Sequence, residues 1–113
     1  MVKLLIVAPA AALTASLRFL LEAENYAVST ATSLAEARAL AERFDCTVLD
    51  HHVLIGQDEQ EAMRFVESHG PVVLLANDPS IVLSQQSFRT LTKPLLGAAL
   101  SEAVRQAIGH QVH

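Results

Sequence analysis

The chain has 113 residues, of which 51% are hydrophobic and 18% are charged, and its formal net charge is -4. This length and composition are typical of one globular domain, residues 1–113, and exclude an intrinsically disordered chain. The acidic balance argues against direct nucleic-acid binding, which needs a basic face to neutralise phosphates.

The sequence carries few signals for targeting or redox chemistry. No apolar stretch approaches the roughly 20 residues of a membrane-spanning helix, so no membrane partner is expected. The short apolar run after Lys3 ends at Ala8 and Pro9 without a signal-peptide cleavage pattern. The single cysteine, Cys46, lies inside an apolar strand pattern and has no internal disulfide partner. We therefore expect a cytoplasmic location and a buried, unreactive thiol.

Short apolar runs alternate with segments of helical periodicity along the whole chain. In chain order, the predicted elements are a strand at 4–7, a helix over 10–24, a strand at 26–30, a helix from 34 to about 43, a strand at 46–50, a helix over 58–69, strands at 72–75 and 88–91, and a helix over 98–108. Ser33 and Glu36 form a capping-box pattern at the start of the second helix. Asn25 is a plausible stop for the first helix.

The segment 77–87 departs from this regular pattern. Its three consecutive apolar residues, Ile81, Val82 and Leu83, lie between polar stretches, and two of the three are β-branched. It therefore predicts at most two short helical turns. Five strands alternating with helices predict an α/β fold with a doubly wound, five-stranded parallel sheet. The expected strand order is 2-1-3-4-5, with helices on both faces and a shortened fourth helix.

Two ionisable residues follow buried strand patterns. Asp50 closes the third predicted strand, and Lys93, followed by Pro94, stands just after the fifth. The carboxyl ends of parallel strands meet at one edge of the sheet, where open α/β sheets place their chemistry. We therefore expect the side chains of Asp50 and Lys93 to be near neighbours in one crevice.

This pattern resembles the receiver domains of bacterial two-component response regulators, which have a CheY-like, flavodoxin-like fold. The resemblance extends over nearly the whole chain and is carried by five segments: 3–7, 20–28, 48–50, 71–75 and 91–95. It implies that Asp50 is the candidate phospho-acceptor and that Lys93 is the candidate phosphoryl-contacting residue.

The departures from the family fall on positions that carry its chemistry. The resemblance implies two acidic metal ligands after the first strand, a hydroxyl residue after the fourth strand and an aromatic switch residue three places before the lysine. This chain has at those positions Ala8, Pro9, Ala76 and Thr90. The pattern therefore indicates an atypical receiver that keeps the acceptor and the lysine but lacks the other groups.

The candidate site offers few ligands for a metal ion. Phosphoryl transfer to a carboxylate brings two anions together, so a hard cation normally bridges them. Here only Asp50, a backbone carbonyl near His52 and waters are left as ligands. We expect no cofactor, and at most a weak Mg²⁺ site. Adjacent His51 and His52 leave a strand in opposite directions, so they are interpreted as loop histidines rather than as a chelating pair.

The leading hypothesis is a degenerate receiver without enzymatic activity, working through protein–protein contacts, for example as the regulatory domain of a transcription regulator. The expected partner is a histidine kinase or another signalling protein, with a homodimer as an alternative. A second hypothesis is a working receiver phosphorylated on Asp50 by a histidine kinase. A third, of another class, is a small flavodoxin-like cofactor-binding domain. Residues 8–12 disfavour it, because they contain no glycine and Pro9 lacks the N–H that an anion-binding loop needs.

Overall fold

The computed structural model describes residues 2–40, 42–69, 71–76, 89–92 and 97–110, and strands alternate with helices within them. The elements are β1 (Lys3–Val7), α1 (Ala11–Glu22), β2 (Ala27–Ala31), α2 (Leu34–Ala39), β3 (Cys46–Asp50), a 3-10 turn η1 (His51–Leu54), α3 (Glu59–His69), β4 (Val72–Ala76), β5 (Arg89–Thr92) and α4 (Gly97–His110). The strands form one parallel sheet in the order β2-β1-β3-β4-β5. The predicted α/β fold with a parallel sheet is confirmed. The predicted short turns within 77–87 lie outside the described residues.

The centre of the sheet is apolar on both faces. All residues of β3 and β4 are buried, and so are Leu4 to Val7 of β1. Successive strand side chains point to opposite faces. Leu4 and Ile6 therefore pack with α1 and α4, whereas Leu5 and Val7 pack with α2, η1 and α3. The continuous apolar runs of the sequence reflect this burial on both faces.

The second helix is shorter than predicted. The expectation that it reaches Arg43 is wrong, since α2 ends at Ala39 and Leu40 already has extended backbone angles. The chain has to come back to the start of β1 at this point. The backbone N–H of Asp45 donates to the carbonyl of Lys3 at 2.7 Å, and the Asp45 carboxylate accepts from the N–H of Lys3 at 2.8 Å. These bonds join the residue before β3 to the start of β1.

The predicted cap at Ser33 and the predicted stop at Asn25 are found in the structure, whereas the predicted capping box is only half formed. The Ser33 hydroxyl accepts a hydrogen bond from the N–H of Glu36 at 3.1 Å, as an N-cap should. The Glu36 carboxylate accepts from the Thr32 hydroxyl at 2.8 Å, and among the described residues it makes no return bond to the N–H of Ser33. Asn25 has a φ of 71°, a left-handed conformation that often follows a helix end.

Two polar residues are buried in the described part of the chain, Thr47 and Asp50. The Thr47 hydroxyl donates to the carbonyl of His69 at 3.0 Å, which ties β3 to the end of α3. Asp50 is therefore the buried carboxylate in the described part of the chain. No helix in the described ranges is both long and apolar enough to cross a bilayer.

Candidate functional site

The site is built around Asp50, whose side chain lies at the end of β3 and is 2% exposed. Its Oδ1 accepts a hydrogen bond from the backbone N–H of His52 and a second from Nδ1 of the His52 ring, both at 2.9 Å. The first bond makes Asp50 the N-cap of η1. An ionised carboxylate only accepts hydrogen bonds, so with Asp50 ionised the donor in the ring contact is the Nδ1–H of His52. The carboxylate thus fastens the loop that leaves the sheet.

The His52 side chain is a member of the site that the sequence analysis missed. It was interpreted as a loop histidine, with only its backbone carbonyl considered near Asp50. The signal that could have found it is the spacing: an aspartate commonly accepts from the backbone N–H two residues on, which brings the side chain of that residue close. The His52 ring is 41% exposed, so it joins the buried carboxylate to the surface.

His51 does not share this role. Its Nδ1 is buried and has no hydrogen-bond partner among the residues that the structure describes. Its ring meets that of His52 edge to face, with centroids 5.9 Å apart. Within the described ranges, no group of three or more His, Cys, Asp or Glu side chains is placed to hold a metal ion.

The two positions after β1 have hydrocarbon side chains, Ala8 and Pro9. Val7 pairs with Leu49 in the sheet, so the next residue, Ala8, comes alongside Asp50. Ala8 is 1% exposed, and Pro9 is exposed. The N–H of Ala8 donates to the carbonyl of Ala31 at 3.0 Å, so this N–H group extends the pairing between β1 and β2.

The remaining predicted positions lie on β4 and β5. Ala76 ends β4 and is fully buried. The position that the family resemblance assigns to a hydroxyl residue therefore carries a buried methyl group. Thr90 lies in β5, and its backbone pairs with Leu74. Lys93 lies outside the described residues, and its predicted proximity to Asp50 stays a prediction.

A cleft of about 410 Å³ lies away from this site, at the end of the sheet where β3 begins. Its lining is largely polar and includes Arg43, Asp45, Ser68 and His69. The cleft lies beside residues 42–45, which connect α2 to β3.

Comparison with solved structures defines the class of fold. The chain matches a two-component response regulator from Clostridium difficile with a TM-score of 0.84 and 20% identity, covering 100% of both chains. It matches a response regulator receiver domain protein from Clostridium thermocellum with a TM-score of 0.79 and 21% identity, covering 98% of this chain and 97% of the other. It also matches the beryllofluoride-activated NtrC4 receiver domain dimer with a TM-score of 0.80 and 24% identity, covering 97% and 98%. The protein therefore has the fold of response-regulator receiver domains.

A sequence relative can also be named. The chain is 26% identical over 105 residues to the transcriptional regulator protein FixT of Rhizobium meliloti strain 1021, and the match covers 93% of this chain and 91% of FixT. No protein-family model matches the chain. The resemblance to receiver domains inferred from the sequence is confirmed by these neighbours.

Proposed function

We propose that the protein is a degenerate receiver: a signalling module of the two-component type that acts through protein–protein contacts and not through metal-assisted phosphorylation of Asp50. The observation that carries the proposal is the surroundings of this carboxylate. Asp50 is buried and bonded to His52, while the neighbouring positions that the family resemblance assigns to acidic ligands are Ala8 and Pro9.

Charge is the main obstacle to phosphorylation. A phosphoryl donor and a carboxylate repel, by about 4 kcal/mol for two unit charges 4 Å apart at the effective dielectric constant typical near protein surfaces. A Mg²⁺ ion normally offsets this repulsion, but it favours near-octahedral oxygen coordination. Asp50 and a backbone carbonyl near His52 are few ligands for such a cage. Lys93 would supply one positive charge without replacing a metal.

The bonds to His52 add a second obstacle. Attack through Oδ1 would require the carboxylate to give up both hydrogen bonds, each contributing about 0.5–1.5 kcal/mol or more when charge-assisted. It would also remove the N-cap of η1. Oδ1 is therefore better suited to holding the loop than to serving as the nucleophile.

The same reasoning applies to switching. A ligand shifts a conformational equilibrium only through different contacts in the two states. Ala76 has no hydroxyl to bond a phosphoryl group, and Thr90 has no aromatic ring to reorient. We therefore propose one dominant conformation whose contacts with partners do not respond to phosphoryl donors.

The partners belong to the same proposal. A histidine kinase or another signalling protein would bind this module, and regulation of transcription, as in the name of FixT, is the proposed output. The module would have no enzymatic activity of its own and no resident cofactor. A cytoplasmic location fits the buried, unpaired thiol of Cys46.

The test is to treat the protein with acetyl phosphate or beryllofluoride, with and without Mg²⁺, and to follow intact mass and self-association by sedimentation. Asp50→Asn is the matched control, because it removes the charge and keeps an oxygen that can cap η1. We expect no added phosphoryl group and no change in association. Incorporation of a phosphoryl group, or a several-fold shift in association, that disappears in Asp50→Asn would show that the site still switches.

A further inference from the structure

We draw no further inference here: the strongest candidate, the exposed apolar face of α1 around Phe19, carries none because nothing in the structure shows what covers it.

Discussion

One carboxylate oxygen, Oδ1 of Asp50, accepts hydrogen bonds from both the backbone N–H and the ring Nδ1 of His52, each at 2.9 Å. The pair joins the end of β3 to the loop that follows it. Because Asp50 is 2% exposed and His52 is 41% exposed, the bond lies where water screens only one of its ends.

Removing the His52 ring should therefore lower stability measurably. We expect His52→Ala to reduce the free energy of unfolding by about 1 kcal/mol, the usual contribution of one hydrogen bond with a charged acceptor that is only partly screened. Urea denaturation measures this change. A double-mutant cycle with Asp50→Ala isolates the pair, and a coupling energy indistinguishable from zero would show that the ring contact does not stabilise the fold.

Mg²⁺ should bind weakly, with half-saturation no tighter than several millimolar, because the expected acidic ligands are replaced by Ala8 and Pro9. The measurement is a Mg²⁺ titration followed by amide chemical shifts near Asp50. Saturable shifts in the sub-millimolar range would contradict it.

Restoring the acids should reverse this behaviour. Ala8→Asp with Pro9→Asp adds a carboxylate at a position that is 1% exposed, next to Asp50, so the metal-free variant should be less stable than the wild type. Mg²⁺ should then raise its melting temperature, because a ligand that binds only the folded state stabilises it. Ala8→Asn with Pro9→Asn is the neutral control and should show no such response.

The Ser33 cap should contribute about 1 kcal/mol to stability, since its hydroxyl satisfies the N–H of Glu36 at the start of α2. Ser33→Ala is expected to lose this amount in urea denaturation, and Ser33→Asp to retain most of it. Ser16→Ala, in α1, is the control, because alanine is favourable in a helix and Ser16 is exposed. Equal stability of Ser33→Ala and the wild type would mean that the bond has no net effect.

Stability should fall in alkaline solution because of Cys46. Burial, and secondarily the charge of Asp45, raises the pKa of the Cys46 thiol from 9.0 to about 12. The unfolded thiol loses its proton first, so this contribution to stability is complete below about pH 9 and declines between pH 9 and 12, by up to about 1.4 kcal/mol per pH unit.

Denaturation at a series of pH values measures the decline. Cys46→Ala should show a shallower decline, with the remainder attributable in part to Tyr26, whose pKa is also raised, chiefly by burial. In the native protein the thiol should react slowly with a disulfide reagent at pH 8, and denaturant should release it. Rapid native-state reaction would contradict its burial.

The fold could be predicted from the sequence because its signals are local and repeated. The strand 46–50 was placed correctly, since its apolar run is bounded by polar residues, and the Ser33 cap follows from a four-residue pattern. The end of α2 at Ala39 could not be predicted from periodicity, and contacts such as those between Asp45 and Lys3, which are 42 residues apart, cannot be seen in a local pattern. Helical periodicity alone continues past Ala39.

The candidate site was predicted in part, for the same reason. The residues Ala8, Pro9 and Ala76 can be read directly from the sequence, and the sheet register pairs Val7 with Leu49, the residues just before Ala8 and Asp50. The side-chain bond from His52 to Asp50 could not be read in this way, because it depends on η1 turning the ring back toward the strand. The relation of Asp50 to Lys93 stays a prediction.

The N-cap formed by Asp50 has a consequence for how such proteins change over time. A residue that is needed to shape a loop is retained by selection for folding even after its chemistry has been lost. An aspartate at this position in a sequence is therefore weak evidence of phosphorylation, because substitution would be disfavoured on structural grounds alone.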